Sequence, residues 1–295
     1  MGVGKPTPTS SIEQHADMFK MFSISTVALN ENKRLVVEVI VGEMADIMER
    51  MRYNLLDDRL SPPADGETLD PTTFPRTFDY MHMGNIPDYI GGILTTFLVG
   101  RPLLKEDKVS SLRFNNLLNP PEFGNHQTFQ SEYLLMHDTK LICQHFLLSR
   151  CPGNDSNRNL PPMLVAMGES FLFEDYMIWD SVPRSTLPFQ QLLPKSGLEK
   201  WIYAHLLKIC LPYPRPMFSG APVYAPLNLS ALIRLISDML EVGYPAHWLL
   251  GIFSSTCAAV ITTSARPPTQ LVTKPADVET NHPAKAISIQ PWVGC

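Results

Sequence analysis

No stretch of this 295-residue chain reaches the run of about 18 to 20 apolar residues that spans a bilayer, so the sequence carries no membrane segment of helical type. Cysteine is scarce. The five residues Cys143, Cys151, Cys210, Cys257 and Cys295 are too sparse for a disulfide scaffold and suit an intracellular, reducing compartment. Positive charge is not in excess: the formal net charge is −5, which removes the general electrostatic ground for binding nucleic acid or an anionic membrane. Neither a Gly-x-Ser-x-Gly nucleophile elbow nor a Walker loop occurs. The start, Met1 to Ser10, is polar and contains proline, so it is no secretory signal. Pro6 stands where a myristoylation motif wants Ser or Thr, and Gly294-Cys295 is not a prenylation box.

What is present reads as a globular protein, with 44% hydrophobic and 18% charged residues. The 27 prolines are the unusual figure, and many lie in 152–227, which predicts a loop-rich insert there. The stretch Phe78-Asp79-Tyr80-Met81-His82-Met83-Gly84-Asn85-Ile86-Pro87-Asp88-Tyr89-Ile90-Gly91-Gly92 predicts a strand, a tight loop and a helix start. Gly84 and Asn85 tolerate left-handed backbone, and Pro87 pre-sets φ for a turn or first helical turn. Ile90, Ile93, Leu94, Phe97 and Leu98 then repeat at helical spacing. A strand that ends in a polar loop and turns into a helix is where open α/β folds place ligands.

Taken in order, Ser10-Ser11-Ile12-Glu13 has capping-box form and predicts a helix to about Leu29. The apolar, β-branched run Leu35 to Val41 predicts a strand covered on both faces. Met44, Ile47, Met48, Met51 and Leu55 predict a helix after it, and Val109 to Leu117, closed by Asn119-Pro120-Pro121, a third strand. Strands separated by helices argue for βαβ units and a parallel sheet. Beyond lie an expected long helix over 126–150, a helix from Ser196-Gly197-Leu198-Glu199 to about Ile209 and a proline-rich linker over 211–226. An amphipathic helix stopped by Gly243 and Pro245 follows, then late strands at 257–265 and 286–293.

These strings resemble an uncharacterised group of fungal proteins that carry a methyltransferase-like region and often a C-terminal MYND zinc finger. The matching pieces are Phe78-Asp79, the 84–92 string, Asn119-Pro120-Pro121, Gly243-Tyr244-Pro245-Ala246-His247-Trp248-Leu249, Ala265-Arg266-Pro267-Pro268 and Trp292-Val293. The likeness covers roughly residues 35 to 293. It implies a Rossmann-like α/β domain of S-adenosylmethionine-methyltransferase type. Such a domain has a mostly parallel sheet ending in an antiparallel hairpin, here with a helical, proline-rich insert at about 126–227 and a leader at 1–34. It further implies that Gly42-Glu43 and Gly84 line the cofactor, Glu43 accepting from the adenine amine, and that Asn85, Asp88 and Tyr89 line the loop where methyl donor meets substrate. That loop is similar to the Asn-Pro-Pro-Tyr loop of amino-methylating enzymes, with Ile86 in place of the first proline and an added Asp88. The family's first strand and glycine-rich cofactor loop are expected before residue 35 and are not found there; Gly2-Val3-Gly4 has no strand before it. Paired Cys-x-x-Cys units of a MYND finger are also missing. The sheet is therefore expected to be incomplete on its N-terminal side, and the isolated chain to be marginally stable or to associate with itself.

Each candidate has a structural reading beside the functional one. Glu43 is also an acid favoured at a helix N-terminus, and Asn85 and Asp88 are turn and capping residues. Tyr89 reads as a core tyrosine, and the methionines at 44–51 and 81–83 as core filler. Cys143, His145 and Cys151 have a zinc-like spacing, but it also suits a core-facing helical stripe and lacks a fourth ligand, so no metal is expected. Two functions follow: a non-catalytic or degenerate methyltransferase-like domain acting as an interaction or structural module, with a protein as the partner class, or an S-adenosylmethionine-dependent methyltransferase, whole or its C-terminal part, using the 42–43 and 84–89 loops. The absent glycine-rich loop favours the first.

Overall fold

A computed structural model of the chain describes residues 11–60, 69–116, 123, 125–150, 177–183, 188–211, 227–269 and 271–290. They form a mixed α/β protein with a small mixed sheet and, among the described residues, ten α-helices. The chain divides into two compact units, Met1–Glu43 and Met44–Cys295.

The first unit holds helix α1 (Ser11–Glu31), close to the helix expected from the sequence. Leu35–Val41, expected as a buried strand, lies in no strand. Val37, Val39 and Val41 are 72%, 80% and 92% exposed. A parallel strand needs hydrogen-bonding neighbours and helices on both faces. No described strand pairs with this run, so its β propensity alone does not make it one.

The second unit is built on a sheet of β1 (Tyr80–His82), β2 (Ser111–Phe114), β3 (Leu148–Arg150) and β4 (Met177–Ser181), in the order β1-β2-β4-β3. β1 and β2 pair in parallel, with Met81 opposite Leu112. Between them run α3 (Pro87–Ile90) and α4 (Gly92–Gly100), so the expected strand–helix–strand unit forms. The apolar stripe does not make one helix, however. Gly91 and Gly92 take φ of 103° and 79°, a left-handed region that breaks the helix after a single turn. The helix that follows is buried along its whole length.

Strand β4 is antiparallel to both β2 and β3, so the sheet is not mostly parallel in its pairings. In direction it is: β1, β2 and β3 run one way and β4 alone runs the other. Both β3 and β4 fall inside the stretch read as an insert. The helix expected over 126–150 is in fact α5 (His126–Leu134), α6 (Thr139–Phe146) and then β3. Leu135, at φ 49°, ends the first helix, and the Asp138 carboxylate opens the second by accepting from the Leu141 amide at 2.8 Å. Alternation on β2 and β4 buries Leu112, Phe114, Met177 and Trp179. Phe97 of α4 meets this face edge-on, with ring centroids 4.8 Å from Trp179, 5.4 Å from Phe146 and 6.1 Å from Phe114.

Around the sheet lie α2 (Met44–Tyr53), α7 (Lys195–Cys210), α8 (Leu229–Val242) and α9 (Ala246–Cys257). The expected capping box at Ser196 does not form, because Pro194 takes the N-cap position of α7. The stop at Gly243 does form, with φ 114° and its amide on the Leu240 carbonyl. The late strands are β5 (Val260–Thr263) and β6 (Lys285–Ser288), an antiparallel pair as expected, but in a two-stranded sheet of their own. A short helix, α10 (Pro275–Glu279), lies between them. Asn119-Pro120-Pro121, Cys151, Trp292-Val293, Gly2-Val3-Gly4 and the prolines of 212–226 lie outside the described residues.

Candidate functional site

The 84–89 loop leaves the end of β1 where an α/β site would be expected. Gly84, at φ 48°, has open space where a Cβ would be, and its carbonyl accepts from the Asn115 amide at 2.9 Å. The Asn85 carbonyl accepts from the Asp88 amide at 3.2 Å, so Asn85 opens a turn. Asp88 is 4% exposed, and its Oδ1 accepts from Nδ2 of Asn116, just after β2, at 2.8 Å. That bond ties the loop to the neighbouring strand. Tyr89 is 68% exposed, not the core tyrosine expected, because the one-turn helix α3 turns it outward. Gly42 and Glu43 are exposed and belong to the other compact unit.

His145 is a core histidine with both ring nitrogens occupied. Nδ1 lies 2.7 Å from the Leu141 carbonyl and so carries the proton. Nε2, 2.8 Å from the Tyr244 hydroxyl, accepts from it, while that hydroxyl oxygen accepts the Leu193 amide at 3.0 Å. Burial pushes the imidazole down to about 4 and the phenol up to about 12. Among the described residues no group of three His, Cys, Asp or Glu side chains could hold a metal.

A different place has the form of a ligand site. A cleft of about 450 Å³ opens between the α5–α6 turn, one face of α7 and the segment that follows β5. Its walls are mainly apolar: Leu135, Met136 and Leu141 on one side, Leu193, Trp201 and Ala204 on another, Ala265, Pro267 and Pro268 on the third. Trp201 is held by its indole N–H, which donates to the Leu134 carbonyl at 2.8 Å, and His205 Nε2 meets the same oxygen at 3.1 Å. Complete burial, with Lys208 close by, holds His205 down at about 3. Leu135, in left-handed backbone that a leucine rarely adopts, is among the lining residues.

Polar contacts strap the post-β5 segment across the cleft. The ammonium of Lys200 donates to the carbonyls of Val278 and Thr280, at 3.0 and 2.9 Å, and to Oδ1 of Asn281 at 3.0 Å. Desolvation lowers its pKa. His137 Nε2 pairs with Glu279 at 3.1 Å, while its Nδ1 is buried without a hydrogen-bond partner. Glu132, 2% exposed at its side chain, pairs with Lys208 and also accepts the Thr273 amide. Arg266 pairs with Asp277 at 2.6 Å.

No sequence expectation pointed to this cleft. Of its lining, Ala265-Arg266-Pro267-Pro268 enters the sequence reading as a string and Gly197 as part of an expected capping box. The legible signal is on α7, where Lys200, Ala204 and Lys208 recur every four residues and so share one face of the helix. No protein-family model, curated protein or solved structure matches the chain. Among the described residues no helix is long and apolar enough to cross a membrane.

Proposed function

We propose that this chain is a non-catalytic methyltransferase-like domain that serves as a binding module. The observation that carries the reading is Asp88. The carboxylate expected at the methyl-transfer loop is buried and bonded to Asn116, so it braces β1 against β2 and is not presented to a substrate. The neighbouring Tyr89 faces solvent, and Gly42-Glu43 is an exposed junction before α2. The methyltransferase-like part of the reading is supported by strand direction. Three strands of the sheet run one way, whereas the late pair β5–β6 that the resemblance implies as its terminal hairpin lies in a separate sheet, so the support is limited to strand direction.

A second reading, an S-adenosylmethionine-dependent methyltransferase, draws on the same strand directions and on the position of the 84–89 loop at the end of β1. Isothermal titration of the folded protein with S-adenosylmethionine and S-adenosylhomocysteine separates the two. No heat is expected from either. Micromolar binding that weakens in Glu43→Ala would overturn the non-catalytic reading and locate a cofactor at the 42–43 junction.

A further inference from the structure

We infer that the cleft between the α5–α6 turn, α7 and the post-β5 strap is a binding site for an uncharged, largely apolar small molecule. The proposal concerns a different place from the 84–89 loop and stands whatever the cofactor titration shows. Three observations carry it. The first is size: about 450 Å³ is within the range of pockets that enclose a small organic ligand, and far above the voids that close packing leaves in a core. The second is shape: Trp201, Pro267 and Pro268 offer flat, rigid apolar surfaces, and Trp201 is locked in place by its bond to Leu134.

The third is charge, and it selects the class of ligand. Every ionisable side chain at the cleft already has a partner within the chain. Lys208 meets Glu132, Arg266 meets Asp277, His137 meets Glu279, and Lys200 uses three hydrogens on three oxygens of the strap. Asp138 is engaged in capping α6. An anionic or cationic ligand would have to compete with one of these pairs, of which Lys208–Glu132 is nearly buried, whereas a neutral one leaves them intact. With the His137 proton on Nε2 facing Glu279, its buried Nδ1, which has no hydrogen-bond partner, is an acceptor that matches a hydroxyl or amide donor on such a molecule.

The test uses the full chain and two fluorescent probes, the neutral dye Nile red and the anionic dye anilinonaphthalene sulfonate. Nile red is expected to bind saturably, one per chain. Ala204→Phe and Ala204→Trp, which grow a side chain into the cleft from α7, are expected to weaken it progressively, by about tenfold or more for tryptophan. The smaller variant keeps the test readable if the larger one does not fold. Leu250→Ser, which removes an exposed leucine outside the cleft, is expected to leave affinity unchanged. Four results would overturn the inference: equal affinity in the folded Ala204 variants, equal loss in Leu250→Ser, tighter binding of the anionic probe, or loss of the Nile red site on self-association, which would make a second copy the occupant.

Discussion

At the scale of single residues, the buried imidazoles set how the fold responds to acid. His145, His205 and His126 are held down to about 4, 3 and 3, each chiefly by burial, with Arg150 also acting on His126. The unfolded chain takes up protons near 6.5 that the folded chain refuses, so stability is full above that value and falls as pH drops. We expect the urea midpoint to fall steadily between pH 6.5 and about 4; a flat profile would show that these rings are open to water. Tyr244→Phe removes the hydroxyl that joins His145 to the Leu193 amide, leaving a buried imidazole nitrogen and a partly buried amide without that partner. The expected cost is about 1–3 kcal/mol in urea unfolding. Two glycines form a matched pair. A Cβ on Gly92 would sit 2.8 Å from Cε1 of Tyr133 in left-handed backbone, while one on Gly84 would meet nothing. Gly92→Ala should therefore cost several kcal/mol by strain plus overpacking, and Gly84→Ala only about 1–2 kcal/mol, with thermal unfolding as the check. The need for flexible backbone at Gly84 was legible in the sequence. The exposure of Tyr89 was not, because only the break at Gly91 decides which way α3 turns.

At the scale of elements, α2 is attached to α8 by a charged seam. Arg52 reaches Asp238 at 3.7 Å and Glu241 at 3.1 Å, and Arg234 reaches Asp238 at 3.2 Å, Glu49 at 3.4 Å and the Tyr53 hydroxyl at 2.7 Å. The arginines of this seam are mostly buried, whereas Arg50 and Asp46 on the same helix form an exposed pair. Arg234→Ala is expected to destabilise by about 1–3 kcal/mol, because it leaves Asp238 and Glu49 short of a partner. Arg50→Ala should change stability by no more than about 0.5 kcal/mol. Equal effects in denaturant titrations would mean that the seam is as well solvated as the surface. The helices of this layer were readable from periodicity in part: Met48 and Met51 on α2, and Leu232 and Met239 on α8, bury as their spacing requires, whereas Ile233 and Leu240 on the same expected stripe, and Leu55 just after α2, are exposed. Strands β3 and β4 were not readable, since runs of three and five residues are too short to carry a periodic signal, and only pairing across the sheet defines them.

At the scale of the whole molecule, all six described strands and the core from Met48 onward belong to the unit that starts at Met44. The unit before it exposes Phe19, Phe22 and Val27 on α1 and four valines over 36–41. Removing residues 1–43 is therefore expected to leave the melting temperature within a few degrees of the full chain and to reduce self-association in sedimentation velocity. A large loss of stability would show that the second unit depends on the first. The sequence by itself determined the scarcity of cysteine, the absence of an apolar membrane run, the strand and helix segments of the β1–α–β2 unit and the two late strands. Each of these is written in composition or in a local period that one segment can satisfy alone. The tertiary structure decided the fate of Leu35–Val41, the reversed β4, the burial of Asp88 and the cleft at α7. Each depends on which distant segment supplies a hydrogen-bonding edge, a partner charge or a facing wall, and a chain read residue by residue holds no record of that.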